Sequence, residues 1–254
     1  MREDLKDLTI VFPTYIDSED RLSNLRVVLD YIRHHFDTNI IISEMDTESK
    51  LGDLDLTGVQ HIFTPYTKMF RKHISVNIGV RAVKTKVFSL YDCDIILHPK
   101  QISKSTELIL DDTFDVVYPY DGRFYDVPKS HHAELSDTNS TDWIKLEDCE
   151  LFNPHSCGGA VFFNTDVFWE GGGGNEHFIG VGYEDDEIWN RYRNLGFRVA
   201  RLERQLYHLN HDRKETSWNH NPNTEHNRVL VDKLFKMSPD QLREEIKTWP
   251  WLQH

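Results

Sequence analysis

Four consecutive carboxylates, Glu184, Asp185, Asp186 and Glu187, follow a glycine-rich turn and open a predicted helix. A helix dipole favours acids in its first turn, but four in a row repel one another, and each must stay solvated or find a partner. An electropositive ligand, or a proton to be abstracted, accounts for the excess. A second acidic group, Asp92-Cys93-Asp94, ends the apolar run Val87–Tyr91. Strand alternation predicts Asp92 and Asp94 on one face, where two carboxylates stay ionised cheaply only beside a cation. Such hard oxygens suit Mn²⁺ or Mg²⁺, ions that bridge to phosphates. His208 and His211 follow the last predicted strand, and imidazole added to a carboxylate selects Mn²⁺ over Mg²⁺. Spacing leaves open which of the two coordinates, with a slight preference for His211. A histidine pair that merely caps a strand is the ordinary alternative. His34, His35, His131, His132, His220 and His226 read as surface or structural residues.

The elements that must carry these groups are legible as alternating strands and helices. Leu8 to Phe12 reads as a buried strand stopped by Pro13. Leu22, Leu25, Leu29, Ile32 and Phe36 then recur at helical spacing behind a cap at Asp17 or Ser18. Strands are predicted at Asn39–Ser43 and Val59–Phe63, a helix at Ile74–Val83, and a strand broken by acids at Val87–Leu97. This alternation implies an α/β fold, a mostly parallel central sheet with helices on both faces. Ligands of such sheets sit beyond the carboxyl ends of the strands. Pro13-Thr14-Tyr15, Glu44-Met45-Asp46 and Asp92-Cys93-Asp94 all fall there. Residues 120–155 are polar and turn-rich, and read as a loop crossing that edge as a lid. Gly171–Gly174 reads either as a flexible linker or as a loop that wraps a ligand. Gly196–Leu202 contains a late strand, and Ser238-Pro239-Asp240-Gln241 starts a final helix with a capping box.

Composition excludes several classes. The 254 residues make one large domain or two joined ones, and 39% apolar with 28% charged residues fits an ordinary globular protein. A formal net charge of −13 makes nucleic acid a poor default partner. The sequence holds neither a run long enough to span a membrane nor an apolar signal peptide. Cys93, Cys149 and Cys157 lack Cys-x-x-Cys spacing, which suits a reducing cytoplasm, although a Cys149–Cys157 bridge is not ruled out by spacing. The expected location is cytoplasmic.

Thr9-Ile-Val-Phe-Pro-Thr-Tyr15, Asp92-Cys-Asp94, Gly158-Gly159 and Gly180-Val-Gly-Tyr-Glu-Asp-Asp-Glu-Ile-Trp-Asn-Arg191 occur in this order over residues 8 to 215. Together they resemble the GT-A glycosyltransferases: the first half resembles glycosyltransferase family 2, the second the C-terminal domain of the β-1,4-galactosyltransferases. The resemblance implies a single GT-A domain over 1–254. Residues 1–118 would bind the nucleotide sugar, 119–215 would form a loop-rich acceptor and catalytic half, and 216–254 a helical extension. It implies nucleotide-sugar contacts from Pro13, Thr14, Tyr15, Glu44 and Asp92, with Arg71 or Lys72 meeting the diphosphate. It makes Asp94 the metal ligand beside His211 or His208, and Asp185 the catalytic base. Gly158, Gly159, Glu184 and Asp186 would bind the acceptor. The implied reaction is an inverting transfer from a nucleoside diphosphate sugar, by default a UDP-sugar, to a hydroxyl of a glycan or other acceptor.

The chain also departs from the pattern. Val181 and Tyr183 stand where the galactosyltransferases have tryptophan and glycine, and Met45 replaces an acid common in family 2. Acceptor preference therefore does not carry over. Three other readings remain: a sugar-nucleotide binder without chemistry, a two-metal phosphoesterase, and transfer onto modified nucleic-acid bases through a basic groove of Arg123, Lys129 and Arg213.

Overall fold

The computed structural model describes residues 2–212 and 221–253. In chain order the elements are β1 (Glu3–Thr14), α1 (Glu19–His35), β2 (Phe36–Asp46), β3 (Val59–Pro65), α2 (Lys72–Arg81), β4 (Val87–Tyr91), β5 (Ile95–Ile96), α3 (Pro99–Leu110), β6 (Val116–Tyr118), β7 (Phe124–Val127), α4 (His132–Thr138), β8 (Glu150–Asn153), β9 (Ala160–Asn164), α5 (Thr165–Glu170), α6 (Glu184–Asn194), β10 (Val199–Arg201), β11 (Leu206–Leu209), α7 (Thr224–Phe235) and α8 (Pro239–Lys247). The main sheet runs β10-β6-β9-β4-β1-β2-β3. It is parallel except at β9, which is antiparallel to both β4 and β6.

Alternation along the central strands explains the layers. Ile10, Phe12, Ile40 and Ile42 face a core filled by α1, α3 and the second sheet. Val11, Ile41, Phe88 and Leu90 face the other core, with α2, α5 and α6. Helices thus cover both faces, as a mostly parallel sheet requires. Helix α1 starts at Ser18, whose Oγ accepts from the Arg21 backbone N–H, and α8 starts with the capping box of Ser238 and Gln241. A third core of Leu195, Leu234, Leu242, Ile246, Trp249 and Trp251 fixes the C-terminal helices.

Several expectations are corrected. Residues 87–97 are not one strand: Asp92-Cys93-Asp94 form a turn between β4 and β5, closed by the Ile95 N–H to the Asp92 carbonyl. Strand alternation therefore does not govern the two aspartates. Residues 120–155 are not a structureless lid. They hold β7, α4 and β8, and a smaller sheet of order β5-β11-β7-β8 forms there. Gly171–Gly174 is neither linker nor ligand loop but a buried turn. Arg191 donates to the Gly171 and Gly173 carbonyls, Trp251 to Gly172, and the Gly174 N–H donates to Asn77. The three cysteines are free. Among the described residues no helix is long and apolar enough to cross a membrane. His220 and Arg213 lie outside the described residues.

Candidate metal and transfer site

Beyond the carboxyl ends of β1 and β4 lies a cleft of about 530 Å³. Two groups of side chains in it carry different chemistry. In one, the turn after β4 presents Asp94 to the end of β11, where His208 and His211 stand. His208 Nε2 is 3.6 Å and His211 Nε2 is 3.2 Å from Asp94 Oδ2. One ligand atom from each of the three lies within 4.8 Å of the others, and all three residues are buried. The Leu209 N–H donates to the Asp94 carbonyl at 2.7 Å, and Asn24 donates to the Leu209 carbonyl, so backbone bonds fix the spacing.

Asp126 on β7 completes this group. Its Oδ1 accepts from His208 Nδ1 at 2.7 Å, which turns Nε2 toward Asp94. A carboxylate behind a histidine is the usual outer partner of a metal-bound imidazole. Burial disfavours a charged His208, but Asp94 and Asp126 on two sides outweigh it and push its pKa up to about 9. Burial likewise opposes charge on Asp94, yet the facing histidines and Arg21 hold its carboxyl well below the usual range. Two imidazoles and a carboxylate, buried, convergent and oriented from behind, fit a divalent transition ion. The donor set favours Mn²⁺ over Mg²⁺, which prefers oxygen.

A second group in the same cleft comes from α2 and α6. Lys72, at the first turn of α2, donates to Asp92 at about 3.0 Å and stands 3.4 Å from Asp185. Burial would discharge this ammonium, but Asp185 and Asp92 outweigh it and raise its pKa above the ordinary value. For Asp92, burial is the largest influence and pushes the carboxyl up, with Lys72 offsetting part of it. Asp185 is about one-third exposed to the cleft.

The four acids of α6 have four different surroundings. Glu184 folds back to accept from the Gly182 N–H, and burial followed by the Asp185 charge raises its pKa. Asp185 faces Lys72, and Asp186 lies on the cleft rim. Glu187 is fully buried against Arg191, 2.7 Å away, and is structural. The turn ahead of them needs left-handed backbone at Gly180, Gly182 and Tyr183, with φ of 69°, 125° and 70°.

Gly158 and Gly159 line the same cleft. The Asp92 N–H donates to the Gly159 carbonyl at 2.8 Å, and the Tyr120 hydroxyl donates to the Gly158 carbonyl at 2.6 Å. A β-carbon on Gly158 would run into the Asp185 carboxylate. The close approach of this backbone is what lets Asp185 enter the cleft.

Of the residues predicted from sequence, Pro13, Tyr15, Lys72, Asp92, Asp94, Gly158, Gly159, Glu184, Asp185, Asp186, His208 and His211 line this one cleft. Three others do not line it. Glu44 is fully buried, bonded to Ser49, the Lys50 N–H and His61. Thr14 donates to its own strand at Phe12, and Arg71 donates to the Glu176 carbonyl.

Sequence reasoning missed Arg21 and Asp126 and gave Phe70, within the Phe70-Arg71-Lys72 segment that resembles a nucleotide contact, no role of its own. Phe70 stacks on Tyr15 with ring centroids 5.3 Å apart, and both rings line the cleft. Arg21 shares the apolar stripe of α1 with Leu25, an arginine out of pattern, and Asp126 is an acid in the otherwise apolar-aromatic β7. Those irregularities were the available signals.

A family model described as the N-terminal domain of galactosyltransferase matches residues 144–214, which contain Gly158, Gly159, Asp185, His208 and His211. The galactosyltransferase resemblance read from the motifs therefore holds over that segment, and the mostly parallel α/β sheet is the architecture it implied. No curated protein matches the chain. Among solved structures, the catalytic domain of Drosophila β1,4-galactosyltransferase 7 in complex with xylobiose is similar at 14% identity and a TM-score of 0.46, covering 76% of this chain and 63% of that one. A mutant of that Drosophila enzyme, in complex with manganese, UDP-Gal and xylobiose, is similar at 13% identity, with the same TM-score and coverage. The chain thus spans 63% of the length of those structures. Likeness at this level transfers no function.

Proposed function

We propose that this protein is a metal-dependent, inverting glycosyltransferase that moves a sugar from a nucleoside diphosphate donor, by preference a UDP-sugar, to a hydroxyl of a glycan or other acceptor. The observation that carries this reading is that a buried Asp-His-His cluster and a lysine-tethered carboxylate line one cleft.

A divalent ion held by Asp94, His208 and His211 would supply the positive charge that a departing diphosphate needs. The chain's own groups do the rest. Tyr15 and Phe70 offer flat aromatic faces to a nucleobase at the mouth of β1. Lys72 stays protonated and brings a fixed cation to the donor side of Asp185. Asp185 accepts the proton of the acceptor hydroxyl as its oxygen bonds to the anomeric carbon and the bond from that carbon to the diphosphate oxygen breaks. Attack by the acceptor oxygen from the face opposite the leaving diphosphate would invert the anomeric configuration. Gly158 and Asp186 border the space beside Asp185 and are the acceptor contacts.

Transfer to nucleic-acid bases is less well supported, because Arg123 is paired with Asp121, and Lys129 with Asp20 and Asp212. A panel of nucleotide sugars assayed for Mn²⁺-dependent release of the nucleoside diphosphate tests the reading. Asp185→Asn is expected to abolish transfer and spare UDP affinity. Nucleotide binding without release by the unmodified chain would make it a binder, and equal loss of both functions in the variant would make Asp185 structural.

A further inference from the structure

Arg21 touches two of the three side chains that would hold a metal ion. Its guanidinium Nη1 lies 3.5 Å from Asp94 Oδ2, and Nη2 lies 3.2 Å from His211 Nε2. Nε of the same side chain donates to Asp17 at 3.2 Å, just ahead of the N-cap of α1. A guanidinium has only donors and is always charged. In the neutral tautomer with the proton on Nδ1, which donates to the Asp212 carbonyl at 3.0 Å, His211 Nε2 offers its lone pair to Arg21; with the proton on Nε2 it would donate to Asp94 instead. That lone pair is the one a metal would take. Asp94 is buried, and without a counter-charge it would be costly to keep ionised.

We infer that Arg21 is a built-in surrogate cation: it neutralises Asp94 and occupies His211 when no metal is bound, and metal entry displaces it toward the diphosphate of the donor. The inference rests on the metal site proposed above and adds a competitor to it. Arg21 remains tied to Asp17 and lines the cleft, so the displaced guanidinium stays within the donor space. A planar fork of N–H groups matches phosphate oxygens well. One side chain therefore has opposite effects on two ligands. It opposes the free ion, because both want the same lone pairs, and it assists the nucleotide once the ion is in place.

The test is Mn²⁺ binding to the full chain, followed by electron paramagnetic resonance of free Mn²⁺, and UDP binding by calorimetry at saturating Mn²⁺. Arg21→Met is expected to bind Mn²⁺ alone more tightly, on the order of tenfold, since one charge-assisted contact no longer competes. The same variant is expected to bind UDP less tightly by a similar factor. Its Mn²⁺-induced rise in Tm exceeds that of the unmodified protein, because its metal-free form has lost a partner for Asp94. Should Arg21→Met be poorly folded without metal, Arg21→Lys keeps the charge, cannot span both atoms, and is expected to show the same two shifts at smaller size. Unchanged or weaker Mn²⁺ binding in these variants overturns the surrogate role. Tighter Mn²⁺ binding with unaltered UDP affinity overturns the hand-over to the diphosphate. Asp94→Ala serves as the control for the site. If it binds Mn²⁺ as the unmodified protein does, or if the unmodified protein binds none, the metal reading itself fails and this inference with it.

Discussion

Adding one methyl group at either of two adjacent glycines separates the position of Asp185 from the stability of the fold. Gly158 has no left-handed backbone, and its new β-carbon would meet the Asp185 carboxylate, with Cγ at 3.1 Å. The carboxylate is the far end of a rotatable side chain, so it yields and the backbone stays. The required retreat is about 1 Å if carbon and oxygen are to regain contact distance. Misplacing a reacting group by that much costs on the order of 100-fold in turnover. The unfolded chain meanwhile loses freedom, worth about 0.4–1 kcal/mol in favour of the variant. Gly159 is the reverse case. Its φ is +86°, and a β-carbon would lie 2.9 Å from Leu206 Cδ1 and 3.2 Å from Ile95 Cδ1. Left-handed strain of about 1–2 kcal/mol adds to overpacking of about 1–3 kcal/mol. For a domain of this size the sum lowers Tm by roughly 10 °C. Calorimetric Tm and kcat/KM, measured side by side, should therefore show Gly158→Ala stable and nearly inactive and Gly159→Ala unstable. Full turnover in Gly158→Ala would refute the placement of the base, and a matching loss of stability in both would refute the steric reasoning.

Three further outcomes follow from the same geometry. Asp126→Ala is expected to weaken Mn²⁺ binding by roughly 10–100-fold with secondary structure intact by circular dichroism; unaltered affinity would remove Asp126 from the site. Glu184, buried and beside Asp185, has a folded pKa raised above its unfolded value, so its contribution to stability is complete below about pH 4.5 and is lost as pH rises through the raised value. The Tm advantage of Glu184→Gln should therefore grow from pH 5 to pH 8, and a pH-independent difference would contradict the shift. Arg191→Met leaves Glu187 buried without its counter-charge and is expected to cost about 3–5 kcal/mol in urea unfolding. Combining it with Glu187→Met should recover part of that loss, and an additive double variant would show that the pair is not coupled.

The sequence alone determined whatever depends on neighbours along the chain. Apolar periodicity located β1, α1, β2, β3 and α2, because burial of one face requires a period that the helix or strand imposes. Side-chain caps at Ser18 and Ser238 were readable because a cap bonds to N–H groups only two or three residues on. The acidic turn after β4, the histidine pair and the acid block were legible as concentrations of charge that no local role could absorb.

What only the tertiary structure decided is which distant partner each charge meets. Glu187 could not be told from Asp185 until Arg191 and the Gly171–Gly174 turn closed around it. Glu44, at a strand end like Asp46, turned into the protein to bond His61 and Lys50. Arg21 and His211 stand 190 positions apart, and His208 and Asp126 stand 82 apart. An ionic contact costs or stabilises according to burial and geometry, and both are set by how whole layers pack. No local pattern along the chain encodes them.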